Sequence, residues 1–224
     1  MSPNLVLFDI DGTLVRRAGP HHRLALIDAV RKVTGLETTT DGVPVHGMLD
    51  PVILTLMMRA AGMADDAIAT AMPAVIESAQ DLYEASVPDL TGKTCPGVME
   101  FLDSLERRGT VLALVTGNLT RIGWRKLERA GVRRYFRFGA FGEMAPTRGG
   151  LAKMAIERAR AEGMIGPASR ISLIGDAPQD VIAAQENGIQ SIAVRTGITP
   201  AGDLEACAPD HLLTDLTECE LSIV

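Results

Sequence analysis

Short apolar runs punctuate this chain at intervals. LVLF at 5–8, VLALV at 111–115, ISLI at 171–174 and SIAV at 191–194 are too short for buried helices. They also lack the apolar/polar alternation of half-exposed strands. They are therefore predicted to be strands covered on both faces, as in a parallel sheet. FRFGAF at 136–141 is a weaker candidate of the same kind. Stretches of helical period separate these runs. Val98 to Arg108 follows Pro96-Gly97 and stops at Gly109. Arg121 to Ala130 stops at Gly131, Leu151 to Glu162 at Gly163, and Pro178 to Asn187 at Gly188. Glycine is the residue that most readily ends a helix in this way. The alternation predicts an α/β fold with a doubly wound, Rossmann-like parallel-sheet core.

One segment breaks the rhythm. From Val15 to Gly92 the pattern is helical throughout. His22 to Thr34 places Leu26, Val30 and Val33 on one face and ends at Gly35. Asp50-Pro51 reads as an N-cap and a first-turn proline opening a helix that runs to Gly62. Asp65 to Ser86 is predicted as a third helix, bent at Pro73. The expected division is a core of 1–14 plus 93–224 with an inserted α-helical cap domain, 15–92. An insert there emerges from the carboxyl end of strand one, the end at which open α/β sheets bind ligands.

Composition narrows the setting. Hydrophobic residues at 46% and charged residues at 22% are those of an ordinary globular protein, and 224 residues suffice for a sizeable core. A net charge of -6 offers no electrostatic reason for a nucleic-acid or anionic-membrane partner. RRYFR at 133–137 and the arginines at 107–108 read as solvated faces. Cys95, Cys207 and Cys219 show no paired spacing, which fits a reducing compartment better than a disulfide framework. MSPNLVLFDID has no basic leader region, and no run of 18 apolar residues exists, so the expected location is cytoplasmic with no membrane span. The pattern specifies no oligomeric state.

The chemistry collects where the apolar runs end. Asp9 and Asp11 close the first run, two positions apart and so on one face of a strand. Thr116-Gly117-Asn118 follows the second, and Gly175-Asp176 the fourth, with Asp180 one helical turn further on. Carboxylates gathered in one crevice repel one another unless a cation holds them. An all-oxygen donor set suits a hard ion, Mg²⁺ above others where phosphate is also bound. Gly12 permits a tight turn, and nearby N–H groups can face an anion.

FDIDGTL at 8–14, LVTGN at 114–118 and LIGDAPQDV at 173–181, in this order and each after a strand, resemble the haloacid dehalogenase superfamily. The likeness is to its phosphatase branch with a helical cap, and HGMLDPVI at 46–53 is closest to its phosphoglycolate phosphatase-like members. The resemblance implies a Mg²⁺-dependent phosphatase for a small phosphorylated metabolite. It implies Asp9 as nucleophile, forming an aspartyl-phosphate, and Asp11 as general acid and then base, which requires its pKa to rise. It also implies that Thr116 binds the phosphoryl group with the Gly117 and Asn118 amides. Asp9, the backbone carbonyl of Asp11, and Asp176 would hold the metal, with Asp180 orienting them. The family's third signature, usually a lysine, is altered here to EMAPTRGGLAK at 143–153. Arg148, just before a helix, is the expected cation, with Lys153 the rival.

Other features read more plainly. His21-His22 is expected to be a solvated helix start, since adjacent helical residues diverge. His46 and Asp50 either contact substrate or cap helices, and Arg16 and Arg17 either bind substrate or form a hinge. TGKT at 91–94 lacks the upstream glycine of a phosphate loop, and NLT at 118–120 goes unused as a glycosylation acceptor in a cytoplasmic protein. Met48, Met57, Met58, Met63 and Met72 serve as core filler. Two further functions fit the same residues: a phosphomutase of the same fold, and a non-catalytic phosphoacceptor or binding protein. A phosphonate hydrolase would need a lysine in the insert, where only Lys32 precedes Lys93.

Overall fold

The computed structural model describes residues 2–16 and 19–224. Six strands, β1 (Leu5–Phe8), β2 (Val111–Val115), β3 (Phe138–Ala140), β4 (Ile171–Gly175), β5 (Gln190–Val194) and β6 (His211–Leu213), form one sheet in the order β3-β2-β1-β4-β5-β6. Every neighbouring pair is parallel. The chain fills the sheet to one side of β1, then returns to fill the other. β1 and β4 therefore flank the point where strand order reverses, and their carboxyl ends open a crevice.

Alternation along β1 supplies both layers of the core. Val6 and Phe8 pack with Phe101, Leu102 and Leu105 of α4 (Val98–Arg107) and Leu127 of α5 (Thr120–Arg129). Leu5 and Leu7 pack with Leu151 and Ala155 of α6 (Arg148–Ala161) and with Ala183 and Ala184 of α7 (Pro178–Glu186). Each such large side chain, fully buried, contributes about 1.5–3 kcal/mol. With both faces covered, the strand tips are where the sheet can meet a ligand.

Between β1 and β2 lie α1 (His21–Thr34), α2 (Asp50–Ala60) and α3 (Asp65–Ser86). They share a separate apolar cluster built on Leu26, Val30, Leu54, Met57, Met58 and Val75, which also takes in Leu119 and Ile122 at the start of α5. Two chain crossings join this insert to the sheet. They are paired through Arg16 N–H to the Lys93 carbonyl (2.7 Å) and Cys95 N–H to the Leu14 carbonyl (3.0 Å).

Several expectations are corrected. β1 ends at Phe8, so Asp9 and Asp11 do not share a strand face. Residues 10–15 fold into a turn in which Gly12, at φ 85°, donates to the Val15 carbonyl (2.8 Å). α6 begins at Arg148 rather than Leu151, because Thr147 accepts from the Gly150 N–H (3.0 Å) and caps it. Asp50 is the first residue of α2, with Leu49 at its N-cap, and its carboxylate serves other elements. α3 spans Asp65–Ser86 as expected, with Pro73 inside it. β6 was not foreseen: its three half-buried residues make no apolar run. α8 (Ala201–Ala206) precedes it, and beyond it Val224 lies by the start of β1, where the Asn4 side chain donates to its carbonyl (3.1 Å). No helix among the described residues is long and apolar enough to cross a membrane.

Candidate active site

Asp9 follows β1 directly. Its N–H extends the ladder to the Ile174 carbonyl (3.0 Å), which fixes the residue over β4. Its carboxylate accepts from Arg148 Nη1 (2.9 Å), and the same nitrogen donates to Asp180 (2.6 Å). All three residues are buried. Burial opposes a charged guanidinium, but the two carboxylates outweigh it and hold Arg148 further toward its charged form. Lys153, by contrast, is 69% exposed beside Glu157 and outside the site. Of the two cations considered from the sequence, the structure brings only Arg148 to Asp9.

Asp176 ends β4. One of its oxygens accepts from the Thr13 hydroxyl (3.4 Å). The other, Oδ2, is buried and has no hydrogen-bond donor among the described residues. Burial first, and then the charges of Asp9 and Asp180, push the Asp176 carboxyl well above the ordinary carboxylate range. Burial and Asp9 raise Asp180 too, against the opposing pull of Arg148. Asp180 has both oxygens engaged, one by Arg148 and one by the Ala177 N–H (3.1 Å), as suits an orienting residue.

Oxygens of Asp9, Asp176 and Asp180 lie within 4.8 Å of one another. A Cβ on Gly12 or Gly197 would strike the Asp176 carboxylate, so both glycines leave room beside it. Crowded carboxylates, a buried oxygen without a donor and an all-oxygen set together fit a hard divalent cation.

Asp11 faces different partners. Lys126 Nζ reaches both its oxygens (2.7 and 2.6 Å), and Asn118 Nδ2 donates to one of them (2.8 Å). Lys126 also donates to Asn118 Oδ1 (2.6 Å) and lies 3.2 Å from His22 Nδ1. His22 Nε2 in turn is 2.9 Å from Asp50, whose same oxygen accepts from the Leu119 N–H (2.9 Å). Burial raises the Asp11 carboxyl. The charge of Lys126, with the hydrogen bonds from Lys126 and Asn118, outweighs it and leaves the group below its usual value. The expected rise is thus reversed, because a buried ammonium holds the carboxylate ionised.

Thr116 is fully buried beneath Asn118, whose side chain donates to its hydroxyl (2.8 Å). Gly117 and Asn118 line the cavity, and Thr116 does not. A Cβ on Gly117 would meet the Met48 carbonyl, so the insert's 47–50 loop rests directly on the end of β2. His46 in that loop bonds Thr199 (2.5 Å) and lies 3.8 Å from Asp176. His22, expected on a solvated helix start, points into the site, and Lys126 was not foreseen at all. The cavity so enclosed is about 240 Å³, with Asp9, Asp11, Asp176 and Arg148 on its floor and His22 and His46 from the insert. Arg16 also lines it, and Arg17 lies outside the described residues.

A doubly wound sheet with an acidic turn after its first strand, an acid cluster after its fourth and a helical insert over both defines a class of hydrolase fold. Residues 6–185 match the family of haloacid dehalogenase-like hydrolases, and the chain belongs to that family. It is 28% identical over 220 residues to a phosphoglycolate phosphatase of Pseudomonas fluorescens (strain Pf0-1), covering 96% of this chain and 77% of that protein. It is 28% identical over 218 residues to a phosphoglycolate phosphatase of Agrobacterium fabrum, covering 96% and 89%. Among solved structures, a β-phosphoglucomutase from Clostridium difficile superposes with a TM-score of 0.69 at 15% identity over 99% and 95% of the two chains. A structure described as a predicted phosphoglycolate phosphatase from Haemophilus somnus 129PT gives 0.67 at 20% identity over 96% of each. At these identities the structural likeness speaks for the fold.

Proposed function

We propose that this hydrolase is a Mg²⁺-dependent phosphatase of small phosphate monoesters, phosphoglycolate-like or sugar phosphates, with residues 15–92 as its cap. The observation that carries the reading is the Asp9 carboxylate, held by Arg148 on one side and set against the donorless oxygen of Asp176 on the other. Asp9, the Asp11 carbonyl and Asp176 would hold the ion, which when bound supplies positive charge to the phosphoryl oxygens.

An Asp9 oxygen attacks phosphorus as the ester P–O bond breaks, giving an aspartyl-phosphate. Asp11, ionised before substrate binds, would first take up a proton across its exposed side and then deliver it to the departing oxygen. Asp11 then takes a proton from water as that water attacks phosphorus, releasing phosphate and restoring Asp9. Arg148 neutralises the charge that gathers around Asp9, and Gly117 and Asn118 line the pocket for the phosphoryl oxygens. The small cavity and the two curated relatives favour a substrate of few atoms. Free thiols at Cys95, Cys207 and Cys219 support a reducing, cytoplasmic setting.

Asp9→Asn is expected to lower phosphate release from p-nitrophenyl phosphate by roughly a thousandfold or more, with retained turnover removing Asp9 from this role. Product analysis with hexose phosphates separates hydrolysis from phosphoryl return to the sugar.

A further inference from the structure

We infer that Lys126 is a positioning residue for proton transfer: from α5 it fixes the Asp11 carboxylate toward the leaving group, and His22 and Asp50 of the insert fix Lys126 in turn. The inference rests on the phosphatase reading. Lys126 is only 5% exposed, unusual for a lysine, and its three N–H groups have three acceptors: the Asp11 carboxylate, Asn118 Oδ1 and His22 Nδ1. His22 can accept there because its other nitrogen faces Asp50.

A stabilising role alone explains this poorly. The Asp11 side chain is 45% exposed toward the cavity, and burying an ammonium to meet a half-exposed carboxylate gains little for the fold. The gain is in geometry. Asp11 lies on a turn rather than on a strand, so its side chain has no ladder to orient it. Without Lys126, a single amide N–H from Asn118 would be its remaining side-chain donor among the described residues. The row Asp50–His22–Lys126–Asp11 runs from insert to core, so the carboxylate is oriented when the insert is docked. Lys126 neither gives nor takes a proton here. It holds the group that does.

The test compares two esters in the Mg²⁺-loaded full chain. p-Nitrophenolate leaves without help, whereas an alkoxide such as that from glycerol phosphate needs a proton. Lys126→Met should lower kcat on the alkyl ester about tenfold or more beyond its effect on p-nitrophenyl phosphate, with KM little changed. In an Asp11→Asn background the same substitution should cost nothing further. Equal losses on both esters, or additive losses in the double variant, would overturn the inference. Partial unfolding scales both rates alike and leaves their ratio intact. Lys126→Leu, which likewise leaves Asp11 without this donor, gives the same readout if the methionine variant does not fold. A wild-type chain that releases phosphate from neither ester would sink the phosphatase reading and this inference with it, whereas an active wild type with an unchanged ratio in the variant removes the inference alone.

Discussion

At the scale of single residues, Arg148 shows how tightly charge is balanced beneath the cavity. One nitrogen of its guanidinium meets both Asp9 and Asp180, and all three side chains are nearly closed off from solvent. Arg148→Met should leave two buried carboxylates without a counter-charge and lower stability by about 3–5 kcal/mol in chelator-treated protein. Urea unfolding with and without Mg²⁺ checks this, and the ion is expected to restore part of the loss. Asp9, Asp11, Asp176 and Arg148 were legible in the sequence because each adjoins a strand end or helix start within a short motif. Lys126 was not: in RKLER it looks like any solvent-facing helical lysine. Adjacent helical residues such as His21 and His22 diverge, and the sequence does not say that His22 is the one that meets Lys126 and Asp50. Which residues meet across an insert and a core depends on docking, and docking leaves no local period to read.

At the scale of elements, α5 is the helix that the rest of the molecule shapes. No residue of its own caps it. The N–H of Leu119 donates to Asp50, that of Thr120 to Glu143 (2.9 Å), and that of Arg121 to Gln80 (2.9 Å). Arg121 also pairs with Glu77 and Asp81 of α3 at 2.8 Å each, and with Glu84. These two kinds of contact differ in worth. Asp50→Ala removes a buried acceptor and should cost about 1–2 kcal/mol. Arg121→Ala removes half-exposed ion pairs and should cost under about 1 kcal/mol. Denaturant unfolding of the two variants side by side would show the order, and the reverse order would contradict it. From the sequence Asp50 reads as a cap for its own helix. It is a cap, but for α5, a helix about seventy residues away along the chain.

At the scale of the whole molecule, the acid cluster governs how stability follows pH. In the folded chain Asp176 and Asp180 are raised above the ordinary carboxylate value, so the native state keeps protons that the unfolded chain has released. Without a divalent cation, stability should therefore fall as pH rises from about 4 through the neutral range. Asp11 and Asp210 are shifted the other way, and what they contribute is lost only as pH falls below the usual carboxylate value. Mg²⁺ should raise the melting temperature more at pH 8 than at pH 5, since at the lower pH protons compete for the same oxygens. Equal shifts at both pH values would argue against these carboxylates as the cation's ligands. The sheet behind this cluster was readable because β1, β2, β4 and β5 are buried on both faces and so are nearly continuous in apolar residues. β6, at the sheet edge and half-buried, carries no such mark.

The dependence of α5 on its neighbours bears on engineering. Leu119 and Ile122 lie in the insert's apolar cluster, and two of the three leading amides of α5 end on insert side chains. A chimera that transplants 16–92 from a relative would set a foreign chain against bare amides and two unmatched apolar side chains. To swap specificity by exchanging that segment, residues 119–122 would have to travel with it.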